Sequence, residues 1–308
     1  MLRYAVMRVL QGVATLALVA TFAFALTQLI GDPVLQLLPL EHTEEQYLEL
    51  RHSLGYDQAW YVQYTSFIRQ SLVGDFGTSV TYNMPAMQVV LSRVPVTASL
   101  AAGAMALAIL VGIPIGVVAG YRPFTPWDRV SITVATIGQA VPPFVIAILG
   151  ILVFAVRLHL VPSGGWGTWQ SAILPVGGLA LGTMSGQIRL ARSGIREVMG
   201  MPFIVLARAK GLKEAEVLFA HALRPAILPV ITYGGLQLGI LLTGAIVTET
   251  VFAIPGLGLL VVDAVSQRDQ SVVRAAVLVG ATGFVIMNTL VDLSYGAIDP
   301  RVRARRRA

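Results

Sequence analysis

Apolar positions along the chain gather into long runs with few charges, at residues 9–30, 94–121, 130–156, 173–188, 225–248 and 275–291. A helix rises about 1.5 Å per residue, so most of these runs cover a hydrocarbon core of about 30 Å, and the two shorter ones do so with one more turn from their flanks. The pattern predicts an all-α integral membrane protein with six transmembrane helices. The apolar stretch 250–262 is different in kind: it is broken by Pro255-Gly256 and Gly258 and is too short to span. Irregular backbone at membrane depth is stable where protein buries it or where it lines a cavity. One reading is therefore a re-entrant or gate-lining turn, and the other a surface loop dipping into the interface.

Polar positions dominate residues 31–93, which form an extracytoplasmic loop region punctuated by Gly31-Asp32-Pro33, Leu54-Gly55-Tyr56-Asp57 and Gly74-Asp75-Phe76-Gly77. Thr43 followed three residues later by Gln46 has the spacing of a capping box, which predicts a helix over 44–53. A second helix is predicted over 59–73, with Trp60, Tyr64, Phe67 and Ile68 spaced for one face. That stripe reads as packing against the membrane domain rather than as a substrate site.

Composition agrees with the pattern. Hydrophobic residues make up 56% of the 308 positions and charged residues 12%, against about 25% charged in a soluble domain. Lys and Arg resist translocation, so their distribution fixes orientation. With the N-terminus in the cytoplasm, only Arg51, Arg69, Arg93, Arg157, Arg268 and Arg274 of the 22 basic residues fall outside, and both termini are cytoplasmic. The net charge of +6 follows from this bias and does not call for a nucleic acid. Arg3, Arg8 and Ala23-Phe24-Ala25 imitate a cleaved signal peptide, but the apolar run continues through Leu29-Ile30, longer than a usual signal core.

Several chemistries lack their residues. The only lysines, Lys210 and Lys213, follow Ala209 and Leu212, so no Gly-Lys-Ser/Thr phosphate loop occurs, and ATP hydrolysis would belong to another polypeptide. His42, His52, His159 and His221 have no close metal spacing and there is no cysteine, which leaves no catalytic residue, metal or cofactor to assign to this chain. Glu249 ends an apolar run. A carboxylate there reads either as a pathway group or as an interfacial acid capping the turn that follows, with Phe252, Pro255, Gly256 and Gly258 as the other gate or pathway candidates.

The segment 196–232 is basic and helix-compatible and lies between two membrane-length runs. Pro202 suits a first helical turn; Phe203, Leu206 and Ala207 fall on one face; Gly211 can take the left-handed conformation that ends a short helix. Ala207 and Ala209 permit close approach by a partner, and 212–223 reads as a second short helix before Arg224-Pro225. On physics alone the segment is either a docking surface or an amphipathic helix on the lipid surface.

Ala207-Arg208-Ala209-Lys210-Gly211-Leu212, with His221-Ala222-Leu223-Arg224 and Pro229, resembles the cytoplasmic coupling loop of ABC importer permeases of the dipeptide, oligopeptide and nickel uptake family. The resemblance extends through Leu2-Arg3-Tyr4, Gly74-Asp75-Phe76-Gly77, Arg93 with Pro95 and Thr97, Glu249-Thr250-Val251-Phe252, Pro255-Gly256-Leu257-Gly258, Arg268-Asp269 and Asp299-Pro300-Arg301. Met201-Pro202-Phe203 and Gln270-Ser271 depart from the pattern.

The resemblance implies a first-type permease subunit in the plasma membrane of a prokaryote, in which 1–30 is the first transmembrane helix, 31–93 the outer loop region, 94–300 the permease domain with its coupling loop at 196–224, and 301–308 a basic cytoplasmic tail. It implies as partners a second permease, two ATPase chains carrying ATP and Mg, an extracytoplasmic binding protein and membrane lipids, with dipeptides or oligopeptides as cargo. Phe203, Ala207, Arg208, Ala209, Lys210, Gly211, His221, Leu223 and Arg224 would carry the coupling. Nickel or another small solute is the alternative cargo, and an ion-coupled secondary transporter the alternative class.

Overall fold

The computed structural model describes residues 2–30, 34, 38, 41–53 and 55–298. Gly31-Asp32-Pro33, Leu54, Asp299-Pro300-Arg301 and the rest of the basic tail lie outside them. Among the described residues the chain is helical, with one isolated β-bridge, Thr78 to Pro85. It divides into two compact units, residues 1–97 with 255–289, and residues 98–254 with 290–308.

Among the described residues, four helices are long and apolar enough to cross a membrane: Val6–Leu26, Ala86–Tyr121, Glu214–Leu241 and Gln270–Val291. The pair Pro126–Ala140 and Pro143–Arg157, bent by 101° at Pro142-Pro143, makes five if it is one span. The predicted run 173–188 lies inside the 31-residue helix Trp169–Met199, which is not among the four. Its polar residues explain this. Thr183, Ser185 and Gln187 are buried against protein, and a helix enclosed by its neighbours has no need of an apolar surface all round.

In the first unit the predicted capping box is present: Gln46 N–H donates to Thr43 Oγ1 (3.3 Å) and Thr43 N–H to Gln46 Oε1 (3.0 Å), at the start of helix Glu44–Ser53. The next helix, Trp60–Leu72, turns Tyr64, Phe67 and Ile68 onto Ala20 and Phe24 of the first helix, and Thr21 Oγ1 and Tyr64 Oη share a 2.8 Å hydrogen bond. Trp60 of the predicted stripe is exposed instead. The second core of this unit packs Ala86, Val89 and Val90 against Leu257, Leu260, Val272 and Ala276.

The second unit is organised around Trp169–Met199. Gly112, Gly116 and Gly120 stand one helical turn apart along the edge that faces it. A Cβ at Gly116 would lie 2.6 Å from the carbonyl oxygen of Ile188, and one at Gly120 2.6 Å from that of Arg192. Only glycine lets two helices run this close, as in small-residue packing within membranes. Two π-turns, Ala108–Gly112 and Val217–Ala222, come just before Pro114 and Pro225. A proline brings no N–H and crowds the carbonyl four residues back, and the wider turn accommodates both.

Arg192 is paired within the chain. Its Nε and Nη2 donate to Asp128 Oδ1 (2.5 Å) and Oδ2 (3.0 Å), and the same carboxylate accepts from Phe124 N–H (2.9 Å). Arg196 lies over the Phe124 ring at 4.8 Å. Thr125 caps the helix that carries Asp128, so this tight connection is a fixed frame.

Candidate functional site

The 196–224 segment folds as predicted at its start and differently after Gly211. Met201 is extended, Pro202 takes the first helical position, and the helix runs Pro202–Ala209. Gly211 then adopts φ +78°, the left-handed conformation that L side chains resist, while its N–H donates to Arg208 O (2.9 Å). A Cβ at Gly211 would meet nothing within 4 Å, so only backbone strain, and no contact inside this chain, demands glycine there.

The second helix is not a separate short element. It begins at Glu214, passes through the π-turn Val217–Ala222 and continues without a break into Leu223–Gly244. Arg224-Pro225 resembles a boundary in sequence, but the π-turn absorbs the proline. His221, Leu223 and Arg224 therefore belong to the root of a long helix. Leu223 packs on the core beneath, His221 Nδ1 lies 3.3 Å from Glu216 O, and Arg224 is exposed.

The face assignment changes as well. Ile204 and Ala207 point inward, onto a core of Ile195, Val198, Val217 and Ala222. Ala207 is thus unavailable to a partner, whereas Ala209, Lys210 and Gly211 are exposed. The outward stripe is Phe203 (42% exposed) and Leu206 (56%), flanked by Val205 and, from the following helix, Phe219 (63%). Period 3.6 allowed either stripe to face inward, and the apolar core beneath chose Ile204 and Ala207.

Arg208 does not reach outward freely. Its Nε and Nη2 donate to Glu214 Oε1 (2.8 Å) and Oε2 (3.2 Å), and Tyr121 Oη donates to Glu214 Oε2 (3.0 Å). Glu214 opens its helix, where a carboxylate suits the dipole, and Arg208 closes the preceding one, where a cation does. The fork therefore clamps the Gly211 turn. Sequence reading passed over Glu214, though its place at a helix start three residues past the turn glycine was visible.

The stretch containing Glu249 is buried. Glu249 sits in helix Ile246–Val251 with no exposed surface, Phe252 and Ile254 are buried too, and Ile254 N–H donates to Glu249 O (2.8 Å). Gly165 N–H donates to Phe252 O (2.7 Å). Ala253, between these two buried side chains, is exposed. Pro255 and Gly256 follow, with Gly256 as the N-cap position of helix Leu257–Ser266, whose Leu257 N–H donates to Thr97 Oγ1 (2.8 Å); Gly258 is buried in its first turn.

Asp269 was not singled out by sequence beyond its place in a motif. Its carboxylate accepts from Ser79 Oγ (2.5 Å), Thr81 N–H (3.2 Å) and Val272 N–H (3.2 Å), so that one buried acid both caps the Gln270–Ile298 helix and holds loop 74–86.

Residues 112–304 match the family described as binding-protein-dependent transport system inner membrane component, and residues 1–101 match its N-terminal companion. The chain is 39% identical over 305 residues to the glutathione transport system permease protein GsiC of Salmonella choleraesuis, covering 98% of this chain and 99% of that one. It is 37% identical over 306 residues to GsiC of Escherichia coli K12, with the same coverage. This chain belongs to that family. It is an ABC importer permease of the dipeptide, oligopeptide and nickel uptake branch, a multi-pass inner-membrane subunit.

A solved inward-facing MetNI methionine ABC transporter resembles the fold at TM-score 0.57 and 17% identity, covering 69% of this chain and 97% of that one. A second crystal form of the same transporter gives 0.51 and 19%.

Proposed function

We propose that this permease is one of two membrane subunits of an importer for dipeptides or short oligopeptides, assembled with a second permease, two ATPase chains that bind ATP and Mg, and an extracytoplasmic binding protein. The chain itself binds no nucleotide and hydrolyses none. The single observation that carries the reading is the stripe Phe203–Leu206, extended by Phe219, exposed on a turn that the Arg208–Glu214 fork and the Ile204–Ala207 core hold rigid. An apolar stripe beside Lys210 and Lys213 suits a protein groove better than water.

ATP-dependent closure of the ATPases would move this turn as a body, since its two helices share one core with the root of the Leu223–Gly244 helix. Six spans with both termini in the cytoplasm complete the proposed topology and place residues 31–93 outside. Peptide cargo is supported by relatives named for glutathione, a small peptide. The Glu249 to Gly258 stretch is proposed as the outer gate. Its fully buried acid, at the end of an apolar run, is the support for that role.

The test is reconstitution of the permease pair with its ATPases and binding protein in sealed vesicles. ATP-dependent dipeptide uptake that a protonophore leaves unchanged is expected. Uptake that ignores ATP and collapses with the proton gradient would contradict the reading.

A further inference from the structure

The second unit contains a partly open cavity of about 470 Å³, within the size range of small-molecule sites. Three helical segments build most of it. Met105, Ile109 and Ile113 come from the stretch around the first π-turn, Ile231, Gly234 and Leu238 from the Leu223–Gly244 helix, and Gln187 from Trp169–Met199. The surface is apolar except at Gln187.

Gln187 is 1% exposed, yet its side-chain amide is only half used. Nε2 stands 3.5 Å from Met105 Sδ, a weak acceptor, and Oε1 has no hydrogen-bond partner. Exchanging the two ends of the amide would leave a donor unpaired instead, so either assignment leaves hydrogen-bonding capacity unmet. A buried amide atom without a partner costs free energy that leucine at the same place would not. The π-turn adds to this picture, since such turns tend to occur at functional sites and this one supplies Ile109.

We infer that this cavity receives the transported peptide, seating an apolar side chain among Met105, Ile109, Ile113 and Leu238 while a peptide amide pairs with Gln187. A primary amide can accept from a peptide N–H through its oxygen or donate to a peptide carbonyl through its NH2, one at a time, because the N–H and C=O of a trans peptide point to opposite sides. No charged residue lines the cavity. It therefore selects for uncharged, apolar residues in the cargo. The inference rests on the peptide-import reading and narrows it.

The experiment uses the complete reconstituted transporter with dileucine, dialanine and diglutamate as probes. Wild type is expected to take up dileucine with ATP at several times the rate of diglutamate. Gln187→Leu should lower dileucine uptake about tenfold, the worth of one hydrogen bond in a dry site, while leaving the melting temperature unchanged or raised. Gly234→Ala makes a usable second variant, since its Cβ would stand 3.6 Å from Gln187 Nε2, an ordinary contact. It should depress dileucine uptake more than dialanine uptake. A photo-crosslinker at Ile231 should capture dileucine during turnover.

If wild type transports dileucine but Gln187→Leu matches it, or if Gln187→Leu lowers melting temperature and uptake in proportion, Gln187 is a packing residue and the inference falls while peptide import stands. Capture at Ile231 of only phospholipid or only the second permease assigns the cavity to that occupant and overturns the inference. If no dipeptide is driven by ATP, the peptide reading fails and the inference with it.

Discussion

Two turn regions of this permease close their polar groups in opposite ways. Loop 74–86 folds inward: Ser79 and Thr81 donate to the buried Asp269, Asp75 Oδ1 accepts Gly77 N–H (3.0 Å), and Ser79 N–H donates to Met84 O (2.9 Å). The 202–223 turn also has a polar clamp, the Arg208–Glu214 fork, but that clamp lies at the surface, and Phe203, Leu206 and Phe219 stay exposed beside it. The first region spends its interactions on its own fold. The second fixes its backbone and leaves Phe203, Leu206 and Phe219 exposed, the surface proposed for another chain. Substitutions in the first should therefore be read in stability, and in the second in assembly and coupling.

The sharpest contrast comes from Asp269→Ala, which leaves three donors without their acceptor. The donors on Ser79 and Val272 are buried and that on Thr81 partly so; at about 1 kcal/mol or more for each buried donor, a loss on the order of 2 kcal/mol is expected, seen as lower abundance and a lower melting temperature in detergent. Asp269→Asn should recover part of it. An unchanged melting temperature for the alanine variant would deny the loop its anchor.

Gly211→Val should cost about 1–2 kcal/mol locally, the strain of a left-handed branched residue. Membrane abundance is expected to survive while ATP hydrolysis loses its link to uptake. Gly167→Val, also at positive φ and also with open space around its Cβ, is the control for glycine loss in general. Equal transport by Gly211→Val and wild type would remove this glycine from the coupling role.

Arg208 and Glu214 are roughly half exposed, so a double-mutant cycle on Arg208→Ala and Glu214→Ala should give no more than about 1 kcal/mol of coupling, weakening with salt. A much larger value would mean the clamp carries the fold of the turn.

The smallest effect belongs to His52 and Asp57, an exposed pair 2.6 Å apart. The hydrogen bond to Asp57 raises the His52 value above the ordinary imidazole range, and the hydrogen bond to His52 lowers that of Asp57. The charged pair is lost as pH rises through the raised His52 value and as it falls through the lowered Asp57 value. Asp57→Asn should return the imidazole resonance to an ordinary titration, and no shift on that substitution would exclude the pair in solution.

Local rules made much of this legible. Pro202 at a helix start, the positive φ of Gly211 and the Thr43–Gln46 box each depend on neighbours in sequence, and each was predicted. What failed was decided at a distance. Whether Phe203 and Leu206 or Ile204 and Ala207 turn inward depends on Ile195, Val198, Val217 and Ala222 beneath them. The Arg192–Asp128 pair spans 64 positions. The Gly112, Gly116 and Gly120 series was visible as a spacing, but the helix it meets was not.

The central claim is that the Phe203 and Leu206 stripe seats an ATPase chain. Its most direct test is recovery of the ATPases with the purified permease pair when Phe203→Glu and Leu206→Glu are combined, beside Trp60→Glu on another exposed aromatic. The account predicts that the double variant inserts at normal abundance and recovers less than about a tenth of the ATPase, since desolvating two carboxylates in an apolar contact costs several kcal/mol, while Trp60→Glu recovers it fully. Full recovery by the double variant would contradict the claim.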